Sequence, residues 1–263
     1  TRRVIIGAMT YPGAIRRDGA EQADIPGLAA DRLDFLFATR IQPCPYLAGK
    51  EERKIVAELA DGRAGREYTR LIRAGYRRSG AIAYRHACPA CSACVPVRLP
   101  SAGFTPGKSL RRVVAANRDL DVRVVAPRAD ADQFDLFRRY QEGRHGGGEM
   151  ADMDYAEYRA LVEDSHVSTR LAEFRGPGGE LMAVCLFDEL VDSLSAVYTF
   201  FDPAITKRSL GSYMILWLAE YCRESGKGNL YLGFWIEKCA KMAYKARFRP
   251  LEMLDRSAWR RML

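Results

Sequence analysis

From Tyr155 onward, apolar and polar positions alternate with periods that name their elements. Tyr155 to Asp164 repeats with a helical period, and Thr169 to Arg175 and Leu181 to Leu190 read as strands on either side of a Gly-Pro-Gly-Gly turn. Ser193 to Phe201 predicts a further strand. There Leu194, Ala196, Tyr198 and Phe200 alternate with Ser195, Val197, Thr199 and Phe201, so both faces carry bulk and the strand is expected to be central. Leu210 to Cys222 is apolar almost all round, which predicts a helix packed between layers. Asn229 to Ile236 then reads as a strand, and the segment holding Lys241 and Lys245 as a helix. Ahead of this series, Ala131 to Arg144 is helical with Phe134, Phe137 and Tyr140 on one face. It runs into His145 and the consecutive glycines 146–148, expected as a mobile loop, with His145 a possible proton acceptor.

The first half is less periodic. Phe35 to Thr39 predicts a short strand, Glu51 to Ala60 a helix or a strand, and Gly65 to Ala74 an amphipathic helix closed by Gly75. Ala81 to Arg85 and Val95 to Leu99 predict further strands. Residues 1–30 mix Gly, Pro, Arg and Asp without period and are expected to form a flexible extension. Pro100 to Gly107 reads as a boundary, giving a small domain over 31–105 and a second over 106–263. The expected fold class is α+β. The order of hairpin, third strand, helix, strand and helix in the second domain is that of the acyltransferase (GNAT-like) fold of acetyl-coenzyme A dependent enzymes, a mixed sheet flanked by helices.

Composition narrows the class. The chain is 48% hydrophobic and 28% charged, ordinary for a folded protein, and no apolar run approaches the roughly 18 residues a membrane span needs. The opening stretch lacks the apolar centre of a secretory signal, so a cytoplasmic protein is expected. In that compartment seven cysteines, an odd number, suit metal ligands and free thiols better than disulfides. Cys88, Cys91 and Cys94 follow C-x2-C-x2-C spacing, and Cys44 lies between two prolines upstream. Four thiolates of this kind suit tetrahedral zinc or an iron–sulfur cluster.

Charge is concentrated in the same region. Up to Arg118, Lys and Arg outnumber Asp and Glu by 21 to 10, whereas the remainder holds 20 against 23. A basic surplus confined to one part of the chain points to a polyphosphate partner, most simply nucleic acid. Arg77-Arg78-Ser79, read as an exposed turn, could grip a phosphate, and Lys108, Arg111 and Arg112 extend the basic run. Arg208 and Gly211 keep the spacing of a pyrophosphate-binding loop at a helix start. Tyr213 stands where a small residue should let the phosphates approach, which argues for an acyl donor other than coenzyme A. The basic half suggests aminoacyl-tRNA instead.

Several segments together resemble a known family, the arginyl and leucyl-tRNA:protein transferases of the N-degron pathway, and among them the bacterial leucyl-transferring branch. They are Pro43-Cys44-Pro45-Tyr46, Gly75-Tyr76-Arg77-Arg78-Ser79-Gly80 with Tyr84-Arg85, the cysteine triplet to Arg98, Ser195 to Pro203, Arg208 to Gly211, Leu232 to Ile236, and Cys239 to Lys245. Eukaryotic arginyltransferases differ in having adjacent cysteines in place of Cys91-x2-Cys94 and a cysteine where Leu47 stands.

The resemblance implies transfer of leucine or arginine from aminoacyl-tRNA to the terminal amine of proteins beginning with Asp or Glu, which marks them for degradation. An aminoacyl ester is already activated, so aminolysis needs positioning, a proton acceptor and donors for the developing oxyanion. Asp202, Lys241, Tyr244 and Lys245 are the groups expected around the reacting carbonyl. Lys241 and Lys245, four apart on a helix, are expected to share a face that one acidic ligand could bridge. A coenzyme A dependent acetyltransferase with a metal-binding appendage and a non-catalytic RNA-binding module are the alternatives.

Overall fold

The computed structural model describes residues 4–5, 10–11, 36–60, 62–145 and 149–262. The expected extension over 1–30 thus lies almost wholly outside the described residues, as does the glycine loop 146–148. In its described part β1 (Val4–Ile5) pairs with β2 (Thr10–Tyr11).

The first half builds a small sheet on one helix. β3 (Leu36–Ala38) is followed by the short ladder of β4 (Gln42–Pro43) with β5 (Glu51–Glu52), then β6 (Lys54–Glu58) and α1 (Ala64–Arg73). β7 (Arg77–Ser79) and β8 (Ile82–His86) complete a sheet of order β3-β6-β8-β7. The ambiguous segment after Glu51 is therefore extended. α1 ends at Gly75, whose φ of 85° suits a residue without a Cβ. Its apolar stripe, Tyr68, Leu71 and Ile72, packs against Tyr231 and Leu190 from the second half.

The second half is organised by an eight-stranded sheet of order β10-β11-β12-β13-β14-β9-β15-β16. In chain order its elements are β9 (Val95–Pro100), α2 (Lys108–Ala116), β10 (Asp121–Val125), α3 (Ala131–His145), α4 (Tyr155–Glu163), β11 (Thr169–Arg175), β12 (Leu181–Glu189) and β13 (Ser193–Phe201). Then come α5 (Leu210–Glu224), β14 (Asn229–Trp235), α6 (Ala240–Ala243) with a 3-10 turn over Tyr244–Arg247, β15 (Glu252–Asp255) and β16 (Ala258–Arg261). β9 comes from the first half of the chain, yet it lies between β14 and β15.

Helices cover both faces, as the two-sided apolar strands require. Cys185, Phe187 and Leu194 face α2 and α5 in one core, together with Leu110, Met214 and Leu218. Val184, Leu186 and Phe200 face α3 and α4 in another, with Phe137 and Tyr158. The predicted alternation along β13 breaks once. Leu186 pairs with Tyr198 and Phe187 with Ala196, so Val197 is an extra, bulged residue.

Candidate active site between diverging strands

β13 and β14 are parallel neighbours that pair only from Ser193–Asn229 to Ser195–Tyr231. Beyond that point they part. β13 bulges at Val197, and the register of β14 against β9 shifts between Tyr231 and Phe234. Within that shift Gly233 adopts φ 71°. Two irregularities on facing strands open a wedge toward the carboxy ends of the strands, where an open sheet can admit a ligand.

Arg77 enters this wedge from β7. Its Nη2 donates to the carbonyl oxygen of bulged Val197, and its Nη1 lies over Gly233, where an added Cβ would collide with it. Gly233 therefore serves two needs, a left-handed backbone and room for a guanidinium. A small pocket here is lined by Tyr76, Arg77, Val97, Ser195, Gly233 and Phe234.

Lys245 lies below the same opening, buried and donating to Phe234 O at 2.5 Å. Burial first, and then the positive charge of Arg77, lower its pKa from 10.5 to about 7. Its neighbour Tyr244 is pushed up to about 12, chiefly by burial, and lies within electrostatic reach of Tyr140 and Arg77. Tyr198, on β13, accepts a hydrogen bond from Gln141 of α3 at 2.7 Å. Arg77, Tyr140, Tyr198, Tyr244 and Lys245 thus converge from β7, α3, β13 and the 3-10 turn. An amine brought to about 7 can take a proton in its neutral form, and the fixed cation beside it can orient an anion.

Other expected site residues lie elsewhere. Arg78 is not exposed. It is buried, with Nε and Nη2 on the two oxygens of Asp188 at 2.8 and 2.7 Å, Nη1 on Gly80 O and Nη2 also on Thr169. These bonds spend the donors a phosphate would need. Ser79, half-buried, ends β7 opposite Ile82. Asp202 ends β13 in a turn, one oxygen accepting from Ala204 N at 2.9 Å and the other paired with Arg139 at 2.5 Å.

Lys241 and Lys245 do not share a face. The α-helix stops at Ala243 and tightens into a 3-10 turn, which leaves Lys241 exposed and Lys245 buried. Lys108, Arg111 and Arg112 are exposed together on α2. Arg208 forks onto both oxygens of Asp119 at 2.9 and 2.8 Å. Tyr213 turns into the core, 5.8 Å from the Phe174 ring, so its side chain does not crowd the start of α5.

The four thiols gather. Burial, followed by the neighbouring Cys88, Cys44 and Cys91, pushes the Cys94 thiol up to about 12. Burial likewise raises Cys88, and Cys91 and Cys44 add to the effect. Among the described residues, however, no group of three or more His, Cys, Asp and Glu side chains is placed to hold a metal ion. The donor chemistry suits a soft metal, but the placement does not close around one.

Sequence reading missed the polar layer between thiols and wedge. Glu52 is buried, paired with Lys54 at 3.0 Å and Gln42 at 2.5 Å. Both ring nitrogens of buried His86 lack a hydrogen-bond partner among the described residues, and burial lowers the imidazole to about 4. Its ring lies 4.7 Å from Phe234. The one signal for the wedge was Gly233 inside an apolar strand run, a pattern that marks a bulge or a close approach.

Residues 42–112 match the family profile described as arginine-tRNA-protein transferase, N terminus, and residues 132–255 match its C-terminus counterpart. A relative from Paramagnetospirillum magneticum named aspartate/glutamate leucyltransferase is 50% identical, over 88% of this chain and 94% of its own length. Relatives of the same name from Rhodospirillum rubrum and Gluconacetobacter diazotrophicus are each 49% identical over 87% of this chain, covering 94% and 88% of theirs. Among solved structures, one of L-PGS from Bacillus licheniformis aligns at TM-score 0.44 with 14% identity, over 69% of this chain and 52% of that one. One of FemX aligns at 0.41 with 10% identity, over 68% and 63%. With relatives at half identity along nearly the whole length and both profiles matched in order, the chain belongs to the arginine-tRNA-protein transferase family and is an aminoacyl-tRNA:protein transferase.

Proposed function

We propose that the protein moves leucine from leucyl-tRNA to the α-amine of proteins beginning with Asp or Glu, marking them for degradation. One observation carries the choice of donor and acceptor: relatives sharing about half its residues are named for both. In the reaction the acceptor nitrogen attacks the ester carbonyl carbon, a C–N bond forms, and the bond to the ribose oxygen breaks. The nitrogen must lose a proton, and the ribose oxygen must gain one. Lys245, brought to about 7 by burial, is the group assigned to accept the first. Tyr244 is assigned to donate toward the departing oxygen.

The exposed cations of α2, Lys108, Arg111 and Arg112, are assigned to the tRNA backbone. Metal analysis of protein purified without oxygen tests Cys44, Cys88, Cys91 and Cys94 as ligands of zinc or an iron–sulfur cluster, and the reaction is assigned no step through one. The reaction itself is tested by transfer of radiolabelled leucine or arginine from their tRNAs to Asp-, Glu- and Lys-initiated peptides. Leucine transfer to the first two alone is expected. Arginine transfer, or transfer to the Lys peptide, would reassign donor or acceptor.

A further inference from the structure

We infer that Arg77 is the receptor for the acidic side chain of the acceptor's first residue. This rests on the reading of the acceptor given above and adds the group that recognises it.

The first ground is an uncompensated charge. A guanidinium stays protonated throughout the working pH range, and a cation withdrawn from water is ordinarily paired. Adjacent Arg78 obeys that rule through Asp188. Arg77 is half-buried, its hydrogen bond goes to a neutral carbonyl, and no carboxylate among the described residues pairs with it. Tyr46, Tyr84, His86, Tyr198, Tyr244 and Lys245 lie within its electrostatic reach, and none is an anion at neutral pH. The carboxylate that shares these neighbours, Glu52, is taken up by Lys54 and Gln42, so the permanent charge of Arg77 has no carboxylate within ion-pair distance among the described residues.

The second ground is placement. Arg77 reaches between two strands, with Nη2 anchored on the Val197 carbonyl and Nη1 passing over the bare backbone of Gly233. The carboxylate of Asp or Glu is two or three bonds from the α-carbon, so it can reach in while the α-amine remains beside Lys245. Two parallel N–H···O bonds from the fork would then register the amine and select for the acid. An amide in place of the acid would leave the charge unanswered.

The test uses the full chain with saturating leucyl-tRNA and peptides beginning with Asp, Glu or Asn. Wild type should favour Asp and Glu over Asn. Arg77→Gln should raise KM for the Asp peptide about 10- to 100-fold and erase most of that preference, with affinity for leucyl-tRNA changed less than about twofold. Arg77→Lys should recover part of the preference. Gly233→Ala, which pushes the guanidinium aside, should reproduce the Gln variant even if that variant folds poorly. An unchanged Asp-to-Asn ratio in Arg77→Gln and Gly233→Ala, or weakened tRNA binding as the main effect, would overturn the assignment. A wild-type chain that transfers to neither acidic peptide would instead overturn the functional reading beneath it.

Discussion

Arg78 and Asp188 form a two-pronged ion pair whose side chains are 1% and 0% exposed, joining the small sheet to the strand beside the wedge. Removing one partner strands the other in a medium that cannot solvate it. Arg78→Met should therefore cost about 3–5 kcal/mol of unfolding free energy. The double variant Arg78→Met with Asp188→Leu should recover much of that loss. Urea unfolding of the single and double variants measures both, and the salt dependence of tRNA binding should stay as in wild type.

Lys245 ties stability and rate to pH with opposite partners. Its pKa is about 7 in the folded chain against 10.5 ordinarily, so the unfolded chain binds the extra proton between those values. Unfolding free energy should rise with pH through that window, because the penalty of burying the charge is complete below about pH 7 and is relieved above it. Lys245→Met should flatten the rise. Single-turnover transfer should climb through about pH 7 in wild type and lose that limb in Lys245→Met and in Lys245→Arg, whose side chain stays protonated. The remaining limb belongs to the acceptor amine, near 7.7–8.0.

The α2 cations predict an effect of a different kind. Replacing Lys108, Arg111 and Arg112 together by Gln should weaken tRNA binding and reduce the slope of log affinity against log salt by about two to three. KM for the acceptor peptide should be unaffected. Filter binding over a salt series decides this.

Asp202 has both oxygens occupied, by the turn and by Arg139. Asp202→Asn keeps the turn bond and gives up one half-exposed ion pair, worth less than about 1 kcal/mol. The transfer rate should fall less than about threefold. A loss of 100-fold or more would give this carboxylate a direct part in proton transfer.

Legibility followed the range of the forces involved. Thr169–Arg175, Ser193–Phe201 and the start of α5 at Leu210 were readable because local period and turn chemistry fix them. The hairpin β15–β16 and the short β10 were not read, having little periodicity of their own. Arg77 and Arg78 are the clearest failure. Taken as a turn, they pointed the same way; as a strand, they point to opposite faces, one into the wedge and one into the core. The wedge itself depends on a bulge and on a hydrogen bond spanning 120 residues, which no local pattern encodes.

The position of β9 has a consequence for how the molecule can be divided. Both of its edges are occupied, by β14 and by β15. Cleaving the exposed chain near Gly103 would sever the backbone yet leave the two fragments stitched through the interior of one sheet. Separated, each would offer bare ladder edges to the solvent. Expressed together, they should find each other again as complementing halves, so folding and activity belong to the pair and to neither piece alone.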